Sequence, residues 1–170
     1  MNSNKNLVFL GMMGSGKSTI GSLVSKKLNL QFIDIDNLII ESTGMSILEI
    51  FKKKGEAYFR NLEEKITLKT LKEANRVISL GGGGFINNKV RKEVLINHFS
   101  FWLTWDKLIL LKRIKGSKKR PLAYHATDQE IKQLIKKRTI IYSEAQFKIN
   151  CNKLTKTEIV NKIIKIYELN

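Results

Sequence analysis

A chain of 170 residues with a hydrophobic share of 42% has the length and apolar content of one domain around one core. Lys and Arg number 31 against 15 Asp and Glu, a formal charge of +16, but nearly all the excess is lysine scattered among Ile and Asn along the whole length, which reads as solvated helix faces and argues against nucleic acid as a partner. No window offers the roughly 18 consecutive apolar residues of a membrane span, and the lone cysteine, Cys151, excludes an intrachain disulfide and points to a reducing, cytoplasmic setting.

The chain opens with a short apolar run at residues 6–10, read as a strand and not as a signal peptide. A glycine-rich turn follows, then residues 17–28 with Ile20, Leu23, Val24 and Leu28 at helical spacing. Phe32 and Ile33 predict a second strand that ends in Asp34 and Asp36, and short helices at 38–41 and 46–54 are broken at Gly44 and Gly55. An amphipathic helix is predicted over 56–72, with Phe59, Leu62, Ile66 and Leu71 inward. A strand at 77–80 runs into Gly81, Gly82, Gly83 and Gly84; a fourth strand covers 99–105 and a helix 107–114. The polar, basic stretch 115–120 before Pro121, the one proline, reads as a mobile lid. A helix over 128–142, a strand at 146–149 and a closing helix over 155–167 complete the chain. His98 and His125 are placed at the surface.

Five strands separated by helices predict an α/β fold: a three-layer α/β/α arrangement with a five-stranded parallel sheet that binds ligands beyond the C-terminal ends of its strands. One domain spans 1–170, with a phosphate loop at 11–19, a substrate-binding helical segment at about 36–62 and a lid at about 113–125 as subdomains.

The sequence from Gly11 to Ser18, GMMGSGKS, fits G-x-x-x-x-G-K-[ST] between a predicted strand and a predicted helix, the context this motif requires. Its glycines let consecutive backbone N–H groups of Gly14, Ser15 and Gly16 curl around phosphate, and the helix N-terminus adds its positive end. Lys17 brings a mobile positive charge to the β and γ phosphates, the Ser18 hydroxyl is placed to ligate Mg²⁺, and Thr19 caps or contacts phosphate. No Asn-Lys-x-Asp or Asp-x-x-Gly motif follows, which excludes a GTPase of the switch type, and the chain lacks a helical subdomain of the transport-ATPase kind.

Rare residue types mark the rest of the site. Arginine occurs six times, and Arg60, Arg113, Arg120 and Arg138 all fall in motif-bearing segments; where lysine is the default, this points to a planar fork that grips carboxylate or phosphate. Two of the four aspartates, Asp34 and Asp36, sit two apart at a strand end, so alternation predicts that both carboxylates point to one side, toward the phosphate loop. Capping of the next helix is an alternative role for Asp34.

Phe32-Ile-Asp34-Ile-Asp36, Gly55-Glu56-x-x-Phe59-Arg60-x-x-Glu63, Leu80-Gly-Gly-Gly83, Arg120-Pro121-Leu122 and Arg138-x-x-x-Tyr142-x-Glu144-Ala145 resemble, in order and spacing, the shikimate kinase family of P-loop small-molecule kinases, whose fold is like that of the nucleoside monophosphate kinases. The resemblance spans nearly the whole chain. It implies a monomeric, cytoplasmic enzyme with ATP and shikimate as partners, which transfers the γ-phosphate to the 3-hydroxyl of shikimate on the route to chorismate and aromatic amino acids. It further implies that Asp34 helps hold Mg²⁺ through water and that Asp36 takes the proton of, or orients, the attacking hydroxyl. Arg60 and Arg138 would bind the shikimate carboxylate, Gly81, Gly82 and Gly83 would contact the substrate through their backbone, and Phe51 and Phe59 would wall its ring. Arg120 would close with the lid on the phosphates, and Arg113 would lie against adenine. Two departures stand out: Ile140-Ile141 where the family commonly has Pro-Leu, and the loop Asn150-Cys151-Asn152-Lys153 on the adenine side. Alternatives are a kinase of another hydroxy acid such as gluconate, and a basic nucleotide-binding module that partners nucleic acid.

Overall fold

In the computed structural model the described residues are 5–115 and 126–170. Five parallel strands, β1 (Leu7–Leu10), β2 (Gln31–Asp34), β3 (Arg76–Ser79), β4 (Phe99–Thr104) and β5 (Phe147–Asn150), lie in the order β2-β3-β1-β4-β5. The central strand β1 pairs Val8 with Ile78 of β3 and with Ser100 of β4. The helices are α1 (Lys17–Leu28), α2 (Ile35–Thr43), α3 (Ile47–Leu71), α4 (Asn88–Asn97), α5 (Lys107–Lys115), α6 (Asp128–Tyr142) and α7 (Lys156–Glu168).

Alternation along β1 divides the core. Val8 and Leu10 join Ile78, Trp102 and residues of α2, α3, α4 and α6 on one face, among them Ile39, Ile50, Val94 and Ile135. Leu7 and Phe9 join Val77, Phe101, Ile20 and Val24 of α1, and Ile159 and Ile163 of α7 on the other. Both faces of β1 are therefore dry, as a parallel sheet requires.

Side-chain caps fix where the helices begin. Ser46 with Glu49, Thr127 with Glu130, and Thr155 with Glu158 form reciprocal capping boxes at the starts of α3, α6 and α7, each worth about 1 kcal/mol. The break expected at Gly55 is a kink inside α3: Gly55 adopts φ 83°, ψ 166°, a conformation that a side chain would strain, and it re-aims the stretch carrying Phe59, Arg60 and Glu63.

Three sequence expectations need correction. A 3₁₀ turn (Gly84–Ile86) and α4 occupy a stretch for which no element was expected; Asn87 caps α4 by accepting from the N–H groups of Lys89 and Val90. Asp36 is not a strand residue, because α2 begins at Ile35 directly after β2. His98 is buried, not at the surface: its Nδ1 accepts from the Asn6 N–H at 3.3 Å, its Nε2 lies 3.7 Å from Glu93, and burial lowers its pKa. Arg120, His125 and most of the expected lid lie outside the described residues.

Candidate active site

The C-terminal ends of β1, β2 and β3 deliver the three parts of the site. From β1 the chain enters the phosphate loop and then α1, whose N-cap is Gly16. Lys17 folds back so that its Nζ donates to Gly11 O at 3.0 Å and Met12 O at 3.1 Å, which places a largely buried ammonium at the centre of the loop. Ser18 and Thr19, in the first turn of α1, are exposed. A cavity of about 680 Å³ opens beside the loop, lined by Gly14, Thr19, Trp105, Arg113, Leu154 and Lys156 among others. Arg113, expected against adenine, is thus one of the residues lining this cavity. The Asn150–Lys153 loop holds its own shape instead of lining that cavity: Asn152 exchanges hydrogen bonds with Asp106, at 2.8 and 3.0 Å.

From β2 come the two aspartates. Asp34 caps α2, its Oδ1 accepting from the N–H groups of Asp36 at 3.0 Å and Asn37 at 3.3 Å, so the capping role is present. This cap sets Asp36 in the first turn of α2, close to Gly81: a methyl group on Gly81 would meet Asp36 Oδ1 at 2.6 Å and Glu63 Oε1 at 2.5 Å. Burial, with the charges of Asp34 and Glu63 adding to it, raises the Asp36 pKa from 3.8 to about 6, against the opposing pull of Lys17 and Arg60. The strand-alternation argument fails, yet both acids reach the same place.

From β3 comes the glycine run, and the arginines gather around it. Arg60 sits between Glu56 and Glu63, with Nη1 2.7 Å from Glu63 Oε2 and Nη2 3.1 Å from Glu56 Oε1. Arg138 is buried and donates from Nη1 to Gly82 O at 2.9 Å; the Tyr142 hydroxyl donates to the same oxygen. A guanidinium has five donors, so each arginine keeps capacity for an anion after these anchors are made. Phe59 is buried, with its ring 4.9 Å from Phe51 and 5.1 Å from the Arg60 guanidinium, so Phe59 stands between Arg60 and the second ring expected to wall the substrate.

The structure therefore brings Lys17, Asp34, Asp36, Arg60, Arg138 and Gly81–Gly83 to one end of the sheet. Sequence reading gave no role to Glu63, Tyr142 or Trp105. Glu63 carried a usable signal, since residues three apart on a helix face one another and Arg60 is its partner; Tyr142 lies one helical turn after Arg138. Nothing in the sequence marks Trp105, which reaches the phosphate loop from 90 residues away.

The oxygen set also suits a hard divalent cation. Ser18 offers a hydroxyl and Asp34 a carboxylate, and the crowding of Asp34 against Asp36 that helps raise the Asp36 pKa is what a nearby cation would relieve.

Close approach at Gly83 gives a direct test. A methyl group there would lie 2.8 Å from Arg60 Cζ and nearer still to Nη1, so the guanidinium must shift from its present position. Gly83→Ala is expected to raise the KM for an anionic acceptor about tenfold or more with little change in the KM for ATP. Initial-rate kinetics check this, and equal rises in both constants would refute it.

The family model for shikimate kinase matches residues 13–168. A shikimate kinase of Thermodesulfovibrio yellowstonii is 39% identical, over 96% of this chain and 95% of its own, and one of Sulfurihydrogenibium sp. is 40% identical over 94% and 96%. Among solved structures, the shikimate kinase of Acinetobacter baumannii in complex with shikimate superposes with a TM-score of 0.92 at 27% identity, covering 99% of this chain and 96% of that one. The shikimate kinase of Aquifex aeolicus superposes at 0.86 with 38% identity, covering 96% of each. A deoxyadenosine kinase of M. mycoides, at 0.64 and 17% identity, and a gluconokinase of Sinorhizobium meliloti, at 0.56 and 14%, share the fold alone. With the match running from the phosphate loop to the last helix, the chain belongs to the shikimate kinase family.

Proposed function

We propose that this enzyme transfers the γ-phosphate of ATP to the 3-hydroxyl of shikimate, and that Asp36, Arg60, Arg138 and Gly81–Gly83 form the acceptor site while the loop from Gly14 to Thr19, with Arg113, forms the ATP site. The observation that carries this reading is the convergence on Gly81–Gly83: a carboxylate of raised pKa lies at Gly81, within the electrostatic reach of Lys17 and Arg60, while the anchored guanidiniums of Arg138 and Arg60 lie at Gly82 and Gly83.

The carboxylate of shikimate takes the spare donors of Arg60 and Arg138. Gly81–Gly83 let the substrate approach the backbone closely, and Phe51 and Phe59 stand along its ring. That grip turns the hydroxyl toward Asp36, which accepts its proton as the new O–P bond forms and the bond from the γ-phosphorus to the bridging oxygen breaks, releasing ADP. Lys17 and the α1 N-terminus stabilise the charge that develops on the phosphates. Mg²⁺ held by Ser18 and, through water, by Asp34 would neutralise charge on the β and γ oxygens. The enzyme acts as a monomer; its single, buried cysteine suits a reducing cytoplasm, and no helix among the described residues is long and apolar enough to cross a membrane.

ADP release from Mg-ATP, followed by a coupled assay with shikimate or gluconate as acceptor, tests the reading. Shikimate is expected to raise ADP release at least 100-fold over gluconate, and the absence of shikimate-dependent release would overturn it.

A further inference from the structure

Trp105 directly follows β4, and its neighbours hold its backbone in place. Thr104 O accepts from the Cys151 N–H at 3.0 Å, and Asp106 is tied to Asn152. From this position the indole Nε1 donates to Ser15 O at 2.8 Å. The other resource of the side chain is its ring face: Arg113 Cζ lies 3.8 Å from the ring centroid, a stacking distance, while Arg113 Nη1 lies 3.5 Å from Gly14 O. We propose that Trp105 is a positioning residue for the nucleotide, fixing the Ser15–Gly16 peptide of the phosphate loop through its N–H and seating Arg113 at the wall of the base cavity through its ring.

The argument for the first half is geometric. A trans peptide is planar, so the carbonyl oxygen of Ser15 and the N–H of Gly16 point in opposite directions. Holding that oxygen on the indole turns the Gly16 N–H away from Trp105 and leaves it for a phosphate oxygen. The preceding amide is already used, since the Ser15 N–H donates to Met12 O at 3.1 Å. Free rotation of the 15–16 peptide would place a carbonyl, negative at its oxygen, where the motif needs a donor. The second half follows from the cavity: Trp105 and Arg113 both line it, and the guanidinium is held over the indole, 3.8 Å from the ring centroid, at that wall.

The inference rests on the nucleotide half of the function proposed above and not on the acceptor, so calorimetric titration with ADP and with adenosine tests it separately. Trp105→Phe keeps the ring and removes the N–H; it is expected to weaken ADP about 3- to 10-fold and leave adenosine within twofold. Trp105→Leu removes both and is expected to weaken adenosine as well. In turnover, Trp105→Phe should raise the KM for ATP and leave the KM for shikimate within twofold, a split that a merely structural defect would not produce. ADP affinity unchanged in Trp105→Phe, or equal losses for ADP and adenosine, would overturn the proposal. The chain has two tryptophans, so Trp102→Phe leaves Trp105 as the sole tryptophan, read by selective excitation at its red edge. Its fluorescence must then change on ADP binding, and unchanged emission at saturating ADP also counts against the role. If ADP behaves as expected but shikimate is not phosphorylated, the acceptor assignment fails and this one stands.

Discussion

Asp36→Asn is expected to lower kcat by about 10²- to 10⁴-fold, the range lost when a positioned general base is removed, while ADP affinity stays within a few fold of the parent. The variant should also be the more stable protein. Burial holds the folded-state pKa of Asp36 at about 6, above its ordinary 3.8, so the ionised carboxylate opposes folding. This penalty is absent below the unfolded value, grows as pH rises through the window from 3.8 to about 6, and is complete above it. A displacement of that size is worth on the order of 3 kcal/mol at most, and solvent screening reduces it. Asparagine carries no charge, so Asp36→Asn should melt several degrees higher at neutral pH and converge with the parent near ~pH 4. In the parent, kcat/KM should fall as pH drops through about 6, where Asp36 takes up its proton, and the variant's residual activity should lack that limb. A variant that loses activity and stability together would mean that Asp36 is structural.

That one carboxylate also shows where sequence reasoning stops. The motif placed Asp34 and Asp36 at the end of β2, and Asp34 is its last residue; but alternation assumed a strand through residue 36, whereas Asp34 caps a helix that starts at Ile35. The cap, not the pleat, delivers the second acid. The sheet and the phosphate loop were readable because β1 and α1 carry their periodicities in contiguous residues. Helix α4 was not: it follows four glycines and keeps only Val90 and Val94 fully inward, so its pattern is too thin to stand out, although Asn87 was a usable N-cap signal.

Contacts between distant segments were the least legible. His98 is dry because Asn6, itself buried, binds it and also the backbone of Leu71, Glu73, Arg76 and Phe99. No local pattern announces a polar knot of that kind. The pairing of Arg60 with Glu63 was spelled out at helical spacing, whereas the meeting of both with Gly83 and Gly81 depends on the kink at Gly55 and the pairing of β2 with β3.

Lys17→Met is expected to lower kcat about 10²- to 10³-fold and to raise the KM for ATP, as the loss of a preorganised charge at the phosphates would. The ammonium does not wait in solvent for the nucleotide. It is already drawn in by Gly11 O and Met12 O, both within 3.1 Å, so little reorganisation remains when the phosphates arrive. Lys17→Arg is expected to recover little, because a broad planar fork does not fit a seat that two neighbouring carbonyls shape for a compact ammonium. The same charge acts on the base: Lys17 pulls the Asp36 pKa down against burial, so its removal should carry the acid limb of the pH profile above about 6. The two variants thus leave different signatures, since Asp36→Asn abolishes the limb and Lys17→Met displaces it upward. Rate measurements across that range decide the matter: a limb unmoved in Lys17→Met would separate the lysine from the aspartate electrostatically and dissolve the coupling between the phosphate and acceptor halves of the site.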